Sequence, residues 1–446
     1  MKFTFTALIL LSLIFSSQAQ NYVTTYAGTG VNGYADGDTA TCKFKGIFGI
    51  CMDHSGNLYI ADNSDNRIRK ISADGIVTTL AGTGVAGYLD GPDSVAKFKA
   101  PSDLCVDDAG NVYVSDFENQ YIRKISTGGT VSTIAGNGVP GYADGTADAA
   151  EFNYPRGICI DAQGNLFIAD SWNHRIRKID AGGNVSTLAG YSDTIGVQSP
   201  GDYADGSDTS ARFNAPCGMS IDSLGNLYLA DAYNHRIRKI TPAGVVTTVA
   251  GSGSIGASSG GFLDGDISVA RLNTPTEVFI DKQGRIFIGD TYNNRIRLVQ
   301  DDVVSTVAGN GTAGLVNGID SLAEFTAPRG VVTDTTSAHA YVCDNGNHVI
   351  RKVSLDFNTG TTQQENNEHL IIFPNPVANT VFISVPDHAL RVRVMGVLGR
   401  EVLSETLTCN TSFLKLTLDE LPNGLYALVF FLQDQKLASS KFTIIH

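Results

Sequence analysis

The sequence predicts an all-β chain, in which a six-bladed β-propeller is followed by a small β-sandwich domain. Three observations support this fold class: a sixfold internal repeat, four strand-like segments in each copy, and a change in composition near residue 371. The chain has 446 residues and 48 glycines without a collagen-like period. The glycines are therefore expected in the turns of a β-rich protein.

Each repeat carries an aspartate that is followed seven residues later by an arginine. The pairs are Asp62 and Arg69, Asp116 and Arg123, Asp170 and Arg177, Asp231 and Arg238, Asp290 and Arg297, and Asp344 and Arg351. Because the same pair recurs in every copy, we expect a structural salt bridge at a strand end rather than a single active site.

The third repeat illustrates the strands. Strands A to D are predicted over 158–161, 166–170, 176–179 and 185–189, separated by Gly/Asn/Asp turns. A D-like segment at 23–28 precedes the first strand A, whereas no strand D follows the last strand C at 349–353. We therefore expect the N-terminal strand to complete the sixth blade, which closes the ring and hides its edges.

The turn between strands B and C resembles the signature of the NHL repeat family. The triplets read Asn173-His174-Arg175, Asn234-His235-Arg236, Asn293-Asn294-Arg295 and Asn347-His348-Val349, while Asp65-Asn66-Arg67 and Asn119-Gln120-Tyr121 depart from the pattern. The resemblance covers about residues 21–355 and implies the propeller fold far better than any function. The three histidines are expected to be turn residues rather than metal ligands.

The two ends of the chain predict export. Lys2, an apolar run over 3–15 and Ser17-Gln18-Ala19 indicate a signal peptide at 1–19, with a buried core strand as the alternative. After the propeller (20–355), residues 356–370 are polar and are expected to form a flexible linker.

Residues 371–446 resemble the C-terminal sorting domain of the type IX secretion system of Bacteroidota. The matching positions are Pro374, Asn375 and Pro376 at the start, Gly399 in the middle, and Gly424 and Tyr426 near the end. The resemblance implies Sec-dependent export, type IX machinery as a partner, and a secreted or outer-surface location. A generic adhesion-type β domain is the alternative.

Composition excludes several classes of function. With 32 Lys+Arg against 45 Asp+Glu the net charge is −13, which argues against non-specific nucleic-acid binding. No other apolar run approaches 18 residues, so no transmembrane segment is expected. The seven cysteines lack zinc-site spacing, and Cys51, Cys105 and Cys159 are expected to act as small buried hydrophobes.

The start of strand A is where related propeller enzymes hold a metal. Gluconolactonase-like propellers and NHL-type amidating lyases use acidic, amide or histidine ligands near the axis. The corresponding positions here are Phe48, Ser102, Arg156, Cys217, Thr276 and Arg329. We therefore predict no catalytic residues, no metal and no cofactor. A lactonase- or lyase-like enzyme with an atypical centre stays open as the alternative.

The next position along strand A contains two acids, Asp103 and Glu277, and glycine in the other four blades. Arg156 and Arg329 stand in blades adjacent to these acids. We expect two ion pairs lining the mouth of the central channel, either as a binding site or as polar side chains that plug the channel.

The face formed by the D–A and B–C loops is the predicted ligand surface. Its acidic loops contain Asp36, Asp38, Asp90, Asp93, Asp144, Asp148, Asp205, Asp208, Asp264, Asp266 and Asp320. We expect solvated turn residues here, with calcium as the alternative, since no recognisable ligand spacing is present. Two of the loops, 191–200 and 252–260, are enlarged. Trp172, Tyr233 and Tyr292 occupy one position of the B–C turns, and Phe117 precedes that position in blade two. We predict that these aromatics bind a glycan or a protein, with packing over neighbouring loops as the alternative.

Overall fold

The computed structural model describes residues 21–191, 201–256 and 258–355, together with segments of the C-terminal part: 372–373, 380–384, 391–396, 401–406, 413–417, 421–422, 424–432 and 435–444. The chain divides into two compact units, Met1–Phe357 and Asn358–His446. The predicted signal peptide, the linker, Pro374, Asn375, Pro376 and Gly399 lie outside the described residues.

The first unit contains six antiparallel sheets, one for each predicted blade. Strand β1 (Tyr22–Ala27) comes first. Blade one holds β2 (Gly37–Asp38), β3 (Ile47–Met52), β4 (Leu58–Asp62), β5 (Arg67–Ile71) and β6 (Ile76–Ala81). Blade two holds β7 (Gly91–Pro92), β8 (Pro101–Val106), β9 (Val112–Asp116), β10 (Tyr121–Ile125) and β11 (Thr130–Ala135). Blade three holds β12 (Gly145–Thr146), β13 (Pro155–Ile160), β14 (Leu166–Asp170), β15 (Arg175–Ile179) and β16 (Asn184–Ala189).

The second half of the ring repeats this arrangement. Blade four holds β17 (Gly206–Ser207), β18 (Pro216–Ile221), β19 (Leu227–Asp231), β20 (Arg236–Ile240) and β21 (Val245–Ala250). Blade five holds β22 (Gly265–Asp266), β23 (Pro275–Ile280), β24 (Ile286–Asp290), β25 (Arg295–Gln300) and β26 (Val303–Ala308). Blade six holds β27 (Gly318–Ile319), β28 (Pro328–Thr333), β29 (His339–Asp344) and β30 (Val349–Ser354). The all-β six-bladed propeller predicted from the sequence is confirmed.

Every blade has five strands rather than the predicted four. The additional strand has two residues, comes from the D–A loop and pairs with strand D at the outer edge, as β12 does with β16. A two-residue strand has no alternation of apolar and polar side chains, so the sequence pattern does not reveal it. Its effect is to pair the first two residues of an edge strand that would otherwise expose unpaired backbone groups.

The sixth blade is completed by the N-terminal strand, as predicted. Strand β1 lies between β30 and β27, and Val23 pairs in register with Val353 on one side and Gly318 on the other. Val23 is fully buried. The ring is therefore closed by hydrogen bonds between the two ends of the repeat region.

The turns between the strands are stabilised by hydrogen bonds to their own side chains and by residues in the left-handed conformation. In the A–B turn of blade three, the Asp161 carboxylate accepts hydrogen bonds from the backbone N–H groups of Gln163 and Asn165 (2.9 and 2.8 Å). The B–C connections are single 3₁₀ turns at Asn63–Asp65, Phe117–Asn119, Ser171–Asn173, Ala232–Asn234, Thr291–Asn293 and Asn345–Asn347, and a further 3₁₀ turn lies at Asp208–Ser210. His174, His235 and His348 end three of these turns in the left-handed conformation, with φ of 53–56°. They are turn residues, as predicted.

The repeated Asp and Arg form salt bridges of 2.6–3.2 Å in all six blades, with both side chains unexposed. Arg177 also donates to two backbone carbonyls, from Nη1 to Glu151 O and from Nη2 to Ala143 O. Its Nε and Nη2 atoms donate to the Asp144 carboxylate. Each cluster thus ties strands B and C to the D–A loop that precedes them.

The second unit contains two antiparallel sheets. One has three strands, β31 (Ile372–Phe373), β32 (Thr380–Ser384) and β35 (Phe413–Thr417); the other has four, β33 (Arg391–Gly396), β34 (Glu401–Thr406), β36 (Gly424–Leu432) and β37 (Gln435–Ile444). Gly424 begins β36, and Tyr426 pairs in register with Gly396 and Phe442. The sandwich packing of these sheets stays a prediction. Across the described residues of both units, no helix is long and apolar enough to cross a membrane.

Candidate binding site around the channel mouth

The innermost strands of the six blades surround a central channel with a cavity at each end. The larger cavity, about 330 Å³, opens among the A–B turns and is called the vestibule here; its rim includes Asp53, Asp281 and Asp334. The smaller, about 30 Å³, lies at the loop face and is called the channel mouth. The channel mouth is lined by Phe48, Ser102, Arg156, Cys217, Thr276 and Arg329, with Asp103 and Glu277 at its floor.

Asp103 and Glu277 line both cavities, so they lie between the vestibule and the channel mouth. The glycines of the same column make room for them: a Cβ atom at Gly49 would collide with the Asp103 carboxyl, and one at Gly218 with the Glu277 carboxyl. The other two glycines of the column, Gly157 and Gly330, face backbone instead, because a Cβ atom there would collide with the carbonyl oxygens of Cys217 and Phe48.

The two acids form a buried, interacting pair. Burial raises the pKa of Asp103 to about 7. Burial, followed by the charge of Asp103, raises the pKa of Glu277 well above its usual value. Each also accepts one backbone hydrogen bond, from Ile158 N at 3.0 Å and from Val278 N at 3.2 Å. The pair therefore retains a proton near neutral pH.

The predicted ion pairs between these acids and the arginines do not form. No nitrogen of Arg156 or Arg329 lies within 4.0 Å of either carboxylate; instead, Arg156 Nη1 contacts Cys217 Sγ at 3.5 Å. The pairing of strand A with strand B is irregular at its start, between Pro155 and Ile158 in blade three. Consecutive residues consequently face the channel at different depths, with the arginines near the loops and the acids below them.

The arginines are held by aromatic rings. The Arg329 guanidinium lies 4.0 Å from the ring centroid of Phe48, and that of Arg156 lies 5.1 Å from the centroid of Phe117. Burial, followed by the charge of Arg156, lowers the pKa of Arg329 to about 10. Two like charges therefore meet at the channel mouth.

An aromatic arc, defined as Phe117, Tyr154, Trp172, Tyr233 and Tyr292, lies in loops of blades two to five, and Phe117 contacts Arg156 of the channel mouth. Tyr154 packs between Phe117 and Trp172, with centroid distances of 4.9 and 3.9 Å and the ring planes tilted by 55° and 42°. Tyr233 and Tyr292 are 39% and 62% exposed. Among the described residues no ring contact joins these two tyrosines to Trp172, so three members of the arc pack together and two face solvent.

Tyr154 is the member of the arc that sequence reasoning missed. It lies in the D–A loop rather than in the B–C turn, and its φ of +54° turns the chain just before strand β13. An aromatic residue directly before the Pro-x-Gly motif, where the equivalent residues Ala100, Ala215, Thr274 and Ala327 are small, is the signal that was available.

The enlarged loops are only partly described. Residues 192–200 and 257 lie outside the described residues. In the second loop, Gly256 N donates to Tyr233 O, and Gly256 O contacts His235 Nε2, both at 2.8 Å. This loop is therefore hydrogen-bonded to the B–C turn that contains Tyr233.

Aspartates of the acidic D–A loops form salt bridges with the repeated arginines. Asp36, Asp90, Asp144, Asp205 and Asp264 contact those arginines at 2.5–2.7 Å, so they are salt-bridged and only half exposed rather than fully solvated. In blade six Asn317, not Asp320, takes the equivalent place. Among the described residues, no group of three or more His, Cys, Asp or Glu side chains is arranged to hold a metal.

The vestibule is a second cavity that the sequence did not identify. Its walls are mostly apolar, and Cys51, Cys105 and Cys159 lie among them. Burial raises the pKa of all three thiols, so they are neutral and are poor nucleophiles. The sequence signal for this cavity was the alternation along strand A, because every second side chain of the innermost strand faces the channel.

Comparison with protein families supports both units. The secretion system C-terminal sorting domain matches residues 371–445, the NHL repeat matches 98–125 and 152–179, and the Teneurin NHL domain matches 198–337. The chain carries NHL repeats and a C-terminal sorting domain. A sorting domain of this type indicates export by the type IX secretion system.

Curated relatives share the NHL propeller but are longer proteins. The chain is 30% identical over 283 residues to Protein SUPPRESSOR OF QUENCHING 1, chloroplastic, of Arabidopsis thaliana, a match covering 61% of this chain and 26% of that protein. It is 27% identical over 344 residues to NHL repeat-containing protein 2 of Bos taurus, covering 70% and 46%. The chain thus spans less than half the length of these relatives.

Solved structures share the propeller fold. A Bacteroides thetaiotaomicron protein of unknown function is 21% identical with a TM-score of 0.57, covering 75% of this chain and 76% of that one. An auxiliary nutrient binding protein of the same organism is 18% identical with a TM-score of 0.56, covering 76% and 77%. At these identities the likeness concerns the fold alone.

Proposed function

We propose that this chain is a binding propeller, delivered to the outer surface or the medium by a Bacteroidota-type type IX system, which holds a glycan on the aromatic arc. The observation that carries the proposal is the exposed Tyr292 ring on the same loop face as the packed rings of Phe117, Tyr154 and Trp172. Exposed aromatic faces on rigid turns suit a sugar ring, because they bury apolar C–H surface with little loss of side-chain entropy.

The scaffold fits a binding role. Tyr233 and Tyr292 project from 3₁₀ turns that are fixed by buried Asn234 and Asn293, whose side-chain amides donate to Asp231 and Asp290 at 2.9 and 2.8 Å. The exposed rings are therefore presented by rigid backbone. A preorganised surface of this kind binds without first ordering its own loops.

The test is a glycan array probed with the purified protein and with Tyr233→Ala/Tyr292→Ala. We expect specific binding that the double variant lowers at least tenfold, while its melting temperature stays within a few degrees of the wild type. Leu224→Ala is the matched control, because Leu224 is 78% exposed but lies in an A–B turn at the other end of the blades. Binding to protein fragments but to no glycan would contradict the glycan assignment.

A second candidate function rests on the buried pair of Asp103 and Glu277. Two interacting carboxyls with raised pKa values at a cavity floor are typical of general acid–base sites. This favours the lyase- or lactonase-like alternative. Turnover of any bound glycan that is abolished by Glu277→Gln, with binding intact, is the result that would support it.

A further inference from the structure

Two arginines at the channel mouth have no carboxylate partner. Within the described propeller, neither Arg156 nor Arg329 forms a salt bridge, and the buried Nε atom of each has no hydrogen-bond acceptor. Arg329 makes its closest described contact with the Phe48 ring, and Arg156 contacts only a thiol and the Phe117 ring. The N–H donors at this opening are therefore largely unused.

The repeated arginines of the same molecule differ from this pair in their terminal nitrogens, which contact carboxylates and backbone carbonyls even where Nε has no acceptor, as in Arg69, Arg238 and Arg351. Arg123, for example, contacts two carboxylates, at 2.5 and 2.7 Å, and two backbone carbonyls. Arg156 and Arg329 are partly buried, and in each the buried Nε atom lacks an acceptor. Leaving such donors unpaired is costly, and repulsion between two like charges adds to the cost. An anion placed between Arg156 and Arg329 would remove both costs.

We propose that Arg156 and Arg329 bind the carboxylate of an acidic sugar whose ring lies on the aromatic arc. This inference rests on the proposed glycan-binding function and adds the charge of the ligand. A carboxylate has two oxygens in one plane and can accept from both guanidinium groups at once. We assign the carboxylate to a sugar because aromatic rings, which pack against sugar rings, lie directly beside the arginines.

The size of the channel mouth limits what can enter. Its cavity of about 30 Å³ admits a small charged group but not a sugar ring. The ring must therefore remain outside, against the arc. The hydroxyls of Ser102 and Thr276 already bond to Arg156 O (3.1 Å) and Thr291 Oγ1 (2.6 Å). The guanidinium N–H groups are consequently the donors left for a ligand.

The acids at the floor do not oppose an anion. Asp103 and Glu277 are buried side by side, and burial favours their protonated forms. Near neutral pH the pair retains at least one proton, so it carries at most one negative charge against the two guanidinium groups. The channel mouth is therefore positive even though the protein as a whole carries a net charge of −13.

Trp172 provides a local reporter, because it is the only tryptophan in the chain and connects to Arg156 through Tyr154 and Phe117. Glucuronate, galacturonate and N-acetylneuraminate would be titrated against glucose and galactose while Trp172 fluorescence is recorded. We expect a saturable change with at least one acidic sugar and none with its neutral match. In Arg156→Gln/Arg329→Gln the affinity should fall about tenfold or more, as for the loss of charge-assisted hydrogen bonds.

Two controls make the result decisive. Arg295→Gln removes an arginine that is also stacked on a ring, Phe262 at 3.9 Å, but that already donates to the carbonyls of Asn293 and Asn310. It should leave the affinity unchanged. Arg156→Lys/Arg329→Lys keeps both charges without the planar fork, and an intermediate affinity is expected.

Each other outcome overturns the proposal. No saturable response to any acidic sugar, or equal affinity in the glutamine variant, would show that the arginines do not hold such a ligand. Neutral glycans bound by the arc without any effect of the arginine variants would leave the proposed function standing and remove only this inference. Binding of hexaglutamate but of no sugar would show an anion site for acidic peptides instead.

Discussion

Arg177 Nη1 lies 2.7 Å from Asp170 Oδ2, and neither side chain is exposed to solvent. The Arg177 guanidinium also lies between the rings of Tyr142 and Phe152, at 4.9 and 5.1 Å from their centroids. The same unit recurs in each blade with small variations. The charge pair is therefore part of the core of the propeller rather than of its surface.

Breaking this pair should destabilise the propeller strongly. Arg177→Met leaves the Asp170 carboxylate buried without its counter-charge, so we expect a loss of about 3–5 kcal/mol in the free energy of unfolding. Urea denaturation measures the loss. Asp144→Asn is the matched control, because Asp144 contacts the same arginine but is 38% exposed, and a cost of only about 1 kcal/mol is expected. Equal costs would contradict a core role for the Asp170 pair.

Closure of the ring can be tested at strand β1. Removing residues 21–28 opens the edge of β30 and uncovers the side chains that pack on Val23, so the melting temperature should fall by many degrees. Removing residues 371–446 from the other end should leave the propeller transition unchanged, because they belong to the second compact unit. An unaltered melting temperature after the first deletion would refute closure.

The pair of Asp103 and Glu277 predicts a pH dependence of stability. Burial raises the pKa of Asp103 to about 7, above the value of about 3.9 for an unfolded chain. The folded state therefore holds a proton that the unfolded state releases, and this contribution to stability is present below pH 4 and is lost as the pH rises through 7. Asp103→Asn/Glu277→Gln should match the wild type near pH 4 and be more stable at pH 8.

Melting temperatures between pH 4 and 9 test this prediction. Asp266→Asn is a control of opposite sign, because hydrogen bonds from the Ser268 hydroxyl and backbone N–H lower the pKa of Asp266. Its stabilising effect is present above the unfolded pKa and is lost as the pH falls, so this variant should lose stability slightly at neutral pH. A constant difference between the double variant and the wild type at all pH values would contradict a shared buried proton.

Export should depend on the second unit. Without residues 371–446 we expect a folded propeller that accumulates in the periplasm, because folding and sorting reside in separate units. Fractionation of the culture measures this. Fusing 356–446 to an unrelated periplasmic protein should send that protein out of the cell. Normal extracellular yield of the truncated chain would contradict the assignment.

The fold was predictable because one pattern occurs six times. Strand B reads almost entirely as apolar residues ending in Asp, as in Leu166–Asp170, and it is buried along its whole length between blades. Repetition of such a strand with three partners leaves few architectures other than a propeller. The N-terminal strand β1 was placed by the same logic, since its sequence is that of a missing strand D.

The candidate site was less predictable. The sequence put Asp103 and Arg156 at one opening, but the irregular start of strand A decides that they lie at different depths and do not pair. Tyr154 was missed because its contact with Trp172 joins a loop to a turn, which no periodicity encodes. The depth of a side chain in the channel and its contacts with other loops depend on backbone geometry, which a repeat pattern in the sequence does not specify.

The closure of blade six also determines how the propeller responds to mechanical force. Tyr22 pairs with Ser354, so the chain enters and leaves the propeller at the same end of this antiparallel ladder. Tension between them would open the hydrogen bonds of β1 and β30 one after another rather than all at once. A propeller tethered through its C-terminal side and pulled through a ligand at the loop face would instead distribute the force over several blades. Its resistance to shear flow should therefore depend on where the force is applied.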